Sequence, residues 1–235
     1  MANPLVNLAA IGHDLRKFSL SKLPTSLERV ALIFINMKTH KGQQSPKAAL
    51  KMGKLAHYME LKIYYIIDPT TDEFIDIMQH FVTRVSEYLF IFSVATVIDQ
   101  KFNNQPAQIQ MKDGYADSQL IGDLFNSKDP ESRICFLMDG VNNPNEWTPS
   151  KLGLKRSGVL IMAPYPDPAK KSVQQFDSTA ESLFALEVDK IYKEGPEMTG
   201  ANLAKAVSEE LKPFGMKVFV ESYPPEFATE LSFSI

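Results

Sequence analysis

Six short stretches of this chain are dominated by apolar, strand-favouring residues: "VALIFIN" (30–36), "KIYYIID" (62–68), "YLFIFSVA" (88–95), "ICFLM" (134–138), "GVLIMA" (158–163) and "KVFVES" (217–222). Runs of this length without polar alternation mark strands covered on both faces. The segments between them carry a helical period. Ser45-Pro46 is an N-cap and N1 pair that opens a helix bearing Leu50, Leu55 and Met59. Thr70 and Glu73 form a capping box ahead of the stripe Phe74, Ile77, Met78, Phe81, Val82 and Val85. Further helices are expected near "SQLIGDLFN", around 178–192, and from Thr199 to a stop at Gly215. Strand and helix alternation of this kind predicts an α/β fold with one mostly parallel six-stranded sheet and helices on both faces.

Three segments stand apart from that alternation. Residues 1–27 read as an N-terminal helical extension and linker, with Asn3 as N-cap, Pro4 at N1, and Leu8, Ile11, Leu15 and Phe18 on one stripe. Residues 28–235 then form a single domain. "NNQPAQIQMKDGYADSQ" reads as an irregular hairpin that turns at Asp113-Gly114, and "ELSFSI" as an added edge strand.

Composition narrows the function classes. The net charge of −3 argues against a dedicated nucleic-acid binder. The single cysteine, Cys135, excludes an intramolecular disulfide and a cysteine-rich zinc site. A chain that makes no use of disulfides suits a reducing compartment, so a cytoplasmic location is expected. No signal-peptide pattern is read at the N-terminus, where Asp14 and Arg16 interrupt a short apolar stretch, and no run approaches a membrane span. The Rossmann and P-loop glycine patterns, the G-x-S-x-G elbow and H-E-x-x-H are all missing from the sequence.

Function in an open parallel sheet must therefore be sought at the carboxyl ends of the strands. Those ends read "FINMKTH", "FSVATV", "LMDGVNNP" and "MAPYPD". Taken together they resemble the caspase and metacaspase family of cysteine proteases, over roughly residues 28–235. "ALIFIN...HKG" is similar to that family's first strand and following loop, and the helix–strand–helix of 45–85 to its next segment. "FIFSVAT" looks like the strand ending in S-G-H-G, which carries the catalytic histidine. "CFLMDGVNN" looks like the strand that ends at the nucleophilic cysteine. The resemblance implies a caspase-like three-layer sandwich. It also puts Ala95 at the histidine position and Val141 at the cysteine position, 46 residues apart, against the roughly 50 of caspases.

Alanine and valine have no lone pair and no proton to offer, so a thiolate–imidazole mechanism has nothing to act with. No catalytic residue is assigned, and no cofactor or metal is implied. The resemblance leaves Asp139, Gly140, His40 and Lys38 as remnants of a substrate pocket, with Asp139 where metacaspases hold an acid for basic substrates. The loop after the first strand offers Lys38, Lys41 and Lys47 but no arginine to pair a substrate aspartate. Lys151, Lys155 and Arg156 lie in the 142–157 loop, where the family is commonly cleaved, and also read as a solvated charge cluster. Cys135, His57 and His80 read as packing or helix-surface residues.

The expected function is that of a catalytically inactive pseudoprotease acting through a protein partner. That partner would be a second copy or an active caspase-like protease, paired through the edge strand "KVFVES". Two alternatives stand beside it. One is a divergent peptidase or hydrolase using His40 and Asp139, and the other a doubly wound domain that binds a small ligand.

Overall fold

An apolar strand buried on both faces has only neighbouring strands to satisfy its backbone, so runs such as 30–36 must lie inside a sheet rather than at its rim. The computed structural model describes residues 3–18, 20–37, 45–95, 97–98, 106–127, 132–141, 143–170, 172–175 and 182–230. In chain order the elements are α1 (Pro4–Ile11), β1 (His13–Asp14), β2 (Leu27–Ile35), α2 (Ser45–Tyr58), β3 (Lys62–Ile67), α3 (Thr71–Arg84) and β4 (Val85–Val94). There follow β5 (Val97–Ile98), β6 (Gln108–Gln110), β7 (Tyr115–Asp117), α4 (Ser118–Phe125), β8 (Arg133–Asp139) and β9 (Val159–Pro166). The last are α5 (Leu183–Glu194), α6 (Gly200–Leu211), β10 (Met216–Tyr223) and α7 (Phe227–Glu230).

The main sheet runs β1-β3-β2-β4-β8-β9-β10, parallel throughout except for β10 against β9. Alternate residues feed two apolar layers. Ala31, Ile33 and Ile35 of β2 join a layer with α1, α2, α5 and α6. Val30, Leu32 and Phe34 join one with α3 and α4. The result is the three-layer α/β sandwich that the alternation predicts. The capping box is made as expected: the Glu73 amide donates to Thr70 Oγ1 at 3.1 Å, and the Thr70 amide to Glu73 Oε2 at 2.8 Å.

The sheet has seven strands rather than six. The added strand is β1, which the sequence placed inside a helix over 3–18. That helix stops at Ile11 because the chain closes onto β3, where a Cβ on Gly12 would stand 2.8 Å from Ile63 Cγ2. His13 and Asp14 then pair with Tyr64 and Tyr65. Arg16 anchors the run, donating to the carbonyls of Ile67 and Asp68 at 3.0 and 2.7 Å and bridging Glu73 at 3.1 Å. Leu8 of α1 is fully buried against α2, whereas Phe18, expected on the same stripe, is 45% exposed.

Two other segments differ in detail from expectation. The hairpin at Asp113-Gly114 is present as β6 and β7, with β5 completing a small antiparallel sheet. Its turn is tied to the β3–α3 connection: Asp113 Oδ1 accepts from the Thr71 amide at 2.8 Å, and the Lys112 amide donates to the Pro69 carbonyl at 2.9 Å. Arg156 is not a solvated loop charge. It is 4% exposed and donates to the carbonyl and hydroxyl of Ser132, and burial pulls its pKa down. Of the expected strand over 230–235, Glu230 instead ends α7 and the rest lies outside the described residues.

Because Leu8 is as deeply buried as the residues of the central strands, α1 contributes to the stability of the whole fold. Leu8→Ala is expected to cost about 2–5 kcal/mol, read as a lower urea midpoint with unchanged denaturant slope.

Candidate functional site

The central strands end level with one another. Ile35 of β2 pairs with Val94 of β4, and Val94 pairs with Asp139 of β8. The next residues, Asn36, Ala95 and Gly140, therefore form a row along the carboxyl edge of the sheet, where ligands bind in open α/β folds.

Gly140 decides where the following residue goes. Along β8, Cys135 and Leu137 pack in one apolar layer, and Ile134, Phe136 and Met138 in the other. Unbroken alternation would send Val141 to the side of Cys135. Gly140 has φ 135°, a conformation that L side chains rarely adopt. The pleat breaks there, and Val141 turns into the layer of Met138 and Ala95. Both positions are sealed: Ala95 is 6% exposed and Val141 1%. The chain's one tryptophan, Trp147, is fully buried in the same layer.

Asp139, also buried, points to the opposite side of the strand. The space beside it is lined by Asp139, Gly140, Val141, Tyr165, Phe184 and Met216, among others, and amounts to about 10 Å³. That is room for about one water molecule. The gap between β2 and β4, where the strand order reverses, is filled as well. Asn36 Nδ2 donates to the Gln110 carbonyl, and Ile109 and Ala116 of the small sheet pack into the layer below with Ala107 and Met111, which flank β6.

Of the residues singled out from sequence, Ala95, Asp139, Gly140 and Val141 meet at neighbouring strand ends. Lys38 and His40 lie outside the described residues. Cys135 is fully buried, and burial pushes its thiol pKa far up, the opposite of a nucleophile's need. Among the described residues no cluster of His, Cys, Asp or Glu is arranged to hold a metal ion, and no helix is long and apolar enough to cross a membrane.

A second feature was visible in sequence only as "KVFVES". The Gly215 carbonyl accepts from the Asp167 amide at 2.9 Å, facing β9, so alternation directs the backbone groups of Val218 and Val220 outward. Ser208 Oγ of α6 accepts the Val218 N–H at 3.2 Å. Beyond this point a groove of about 570 Å³ opens along β10, lined by Pro149, Leu154, Val220, Glu221, Tyr223 and Ala228, among others. Partial burial raises the Glu221 pKa.

No family model matches the chain, and no curated protein does. Among solved structures it is similar to the crystal structure of protein GSU0716 from Geobacter sulfurreducens, a structural-genomics target. The TM-score is 0.62 at 12% identity, covering 88% of this chain and 99% of that one. At that identity the likeness shows the fold alone.

The positive φ at Gly140 makes a side chain costly there. Gly140→Ala is expected to destabilise the protein by about 1–3 kcal/mol, measured as a fall in thermal midpoint.

Proposed function

We propose that this chain is a caspase-like pseudoprotease that acts by binding protein and does not cleave it. The observation that carries the reading is the pair Ala95 and Val141. They follow strands that end in register and share one buried apolar layer, which supports laying them on neighbouring histidine and cysteine positions of the resembling family. Hydrocarbon at both leaves neither a base nor a nucleophile, and loss of either from such a unit removes most of the catalysis. The space of about 10 Å³ beside Asp139 and Gly140 has no room for a peptide either.

The partner surface in this reading is the outer edge of β10. A second β10 added antiparallel about Phe219 sets Val218 against Val220 of the other copy, with their outward backbone groups facing. It also sets Lys217 against Glu221, twice by symmetry. Ser208 already occupies the Val218 N–H and Asp167 holds Lys217 at 3.2 Å, so pairing would share those contacts. An active homologous protease with a similar edge is the alternative partner.

The small-ligand reading has one observation in its favour. Counting only the long strands, the order is 2-1-3-4-5 followed by an antiparallel sixth, which begins as in flavodoxin-like domains. Against it, the small sheet fills the crevice at the reversal point. The hydrolase reading needs His40, outside the described residues, to act with a buried Asp139.

Two measurements test the proposal. The chain should hydrolyse no fluorogenic peptide, and hydrolysis by the natural chain would overturn the reading. In sedimentation, Lys217→Glu should weaken self-association on the order of tenfold and added Glu221→Lys should restore it. A strict monomer that also binds no active homologue removes the partner surface.

A further inference from the structure

On the far side of the sheet from β10, the stub strand β1 leaves a step. It covers only Tyr64 and Tyr65 of β3, so Lys62 has no strand neighbour on that side. A hollow of about 140 Å³ lies at this step, lined by His13, Phe18, Lys22, Leu23, Pro24, Lys62 and Tyr64. We propose that this hollow is a binding site for a small one-ring aromatic carboxylate. The inference is independent of the pseudoprotease reading.

The walls are aromatic and fixed in orientation. His13 lies 5.4 Å from Tyr64 between ring centroids, at 37°, because the two residues pair across β1 and β3. Phe18 stands edge-on to His13 at 5.9 Å and 88°. Tyr64, only 2% exposed, is backed in turn by Phe81 at 5.1 Å and forms the floor, leaving the His13 and Phe18 rings as the open faces. Phe18 is 45% exposed, so its ring is open to contact from solvent. Offset and edge-on faces of this kind accept a further ring at centroid distances of roughly 4.5–7 Å. The volume suits it, since a cavity of about 150 Å³ holds a benzene ring.

The charge around the hollow has one sign. Lys62 Nζ sits 5.6 Å from the Tyr64 ring centroid, and Lys22 is also in the lining. Among the described residues no acid lines the hollow. The nearest acid in sequence, Asp14, turns its Oδ1 to the Arg16 amide at 3.0 Å. Neither lysine has an ion-pair partner among the described residues. A neutral ring would leave this field unused, and a carboxylate without a ring would leave the aromatic walls uncovered. A ring carrying one carboxylate satisfies both.

The test uses the full chain and sodium benzoate, followed by the NMR signals of the His13 and Phe18 rings. Saturable binding near about 1 mM is expected, the range open to a ligand of about nine heavy atoms on a half-open site. Benzamide, with the ring but no charge, and acetate, with the charge but no ring, should each bind at least about tenfold more weakly. Lys22→Met with Lys62→Met should weaken benzoate by about tenfold, and Phe18→Ala by a similar factor, with amide spectra elsewhere unchanged. Absence of saturable shifts up to about 20 mM benzoate overturns the proposal, as does equal binding of acetate or benzamide. Binding that survives both sets of substitutions places the ligand elsewhere and also overturns it.

Discussion

Everything in this molecule follows from strands that are apolar on both faces. Such a strand cannot lie on a surface, so its backbone must be paired on both edges and its side chains covered from two sides. That requirement sets a parallel core of β2, β4, β8 and β9, two helical layers, and connections long enough to cross from one end of the sheet to the other. It also makes the strands finish together, in the register Ile35, Val94 and Asp139. In many folds of this class the common finishing line holds reactive groups. Here it is closed by Ala95, Val141 and the small sheet carrying Ile109 and Ala116.

The parts legible in the sequence are those set by local chemistry repeated over many residues. The six apolar runs, the Thr70–Glu73 box and the stripe from Phe74 to Val82 depend on periodicity or on short-range hydrogen bonds, and they appear where they are expected. Cys135 is buried for the same reason, being inside such a run. The features that were not legible depend on contacts distant in sequence. β1 is two residues long, too short for any period. It exists because Arg16 reaches the end of β3, some fifty residues away. Arg156 looks like a loop cation, yet it is buried by its bonds to Ser132.

At the strand ends the same distinction applies to single residues. The level finish of β4 and β8 follows from matching runs. The position of Val141 does not, because simple alternation sends it to the wrong layer. Only the backbone turn at Gly140 brings it beside Ala95. A glycine after a strand is an ordinary sequence feature, and nothing in the motif distinguishes one that ends a strand from one that inverts the pleat. The two concave features away from the strand ends, along β10 and beneath β1, arise where the sheet stops, and stopping points leave little trace in composition.

The burial of Trp147 has a consequence of its own. Its indole lies in the apolar layer that holds Val141, and its N–H has no hydrogen-bond partner among the described residues. As the only tryptophan of the chain, it is the dominant long-wavelength fluorophore, and its colour is set by whether water reaches that layer. The molecule thus carries an internal optical gauge of the seal over its strand ends, one that needs no dye and no engineered reporter.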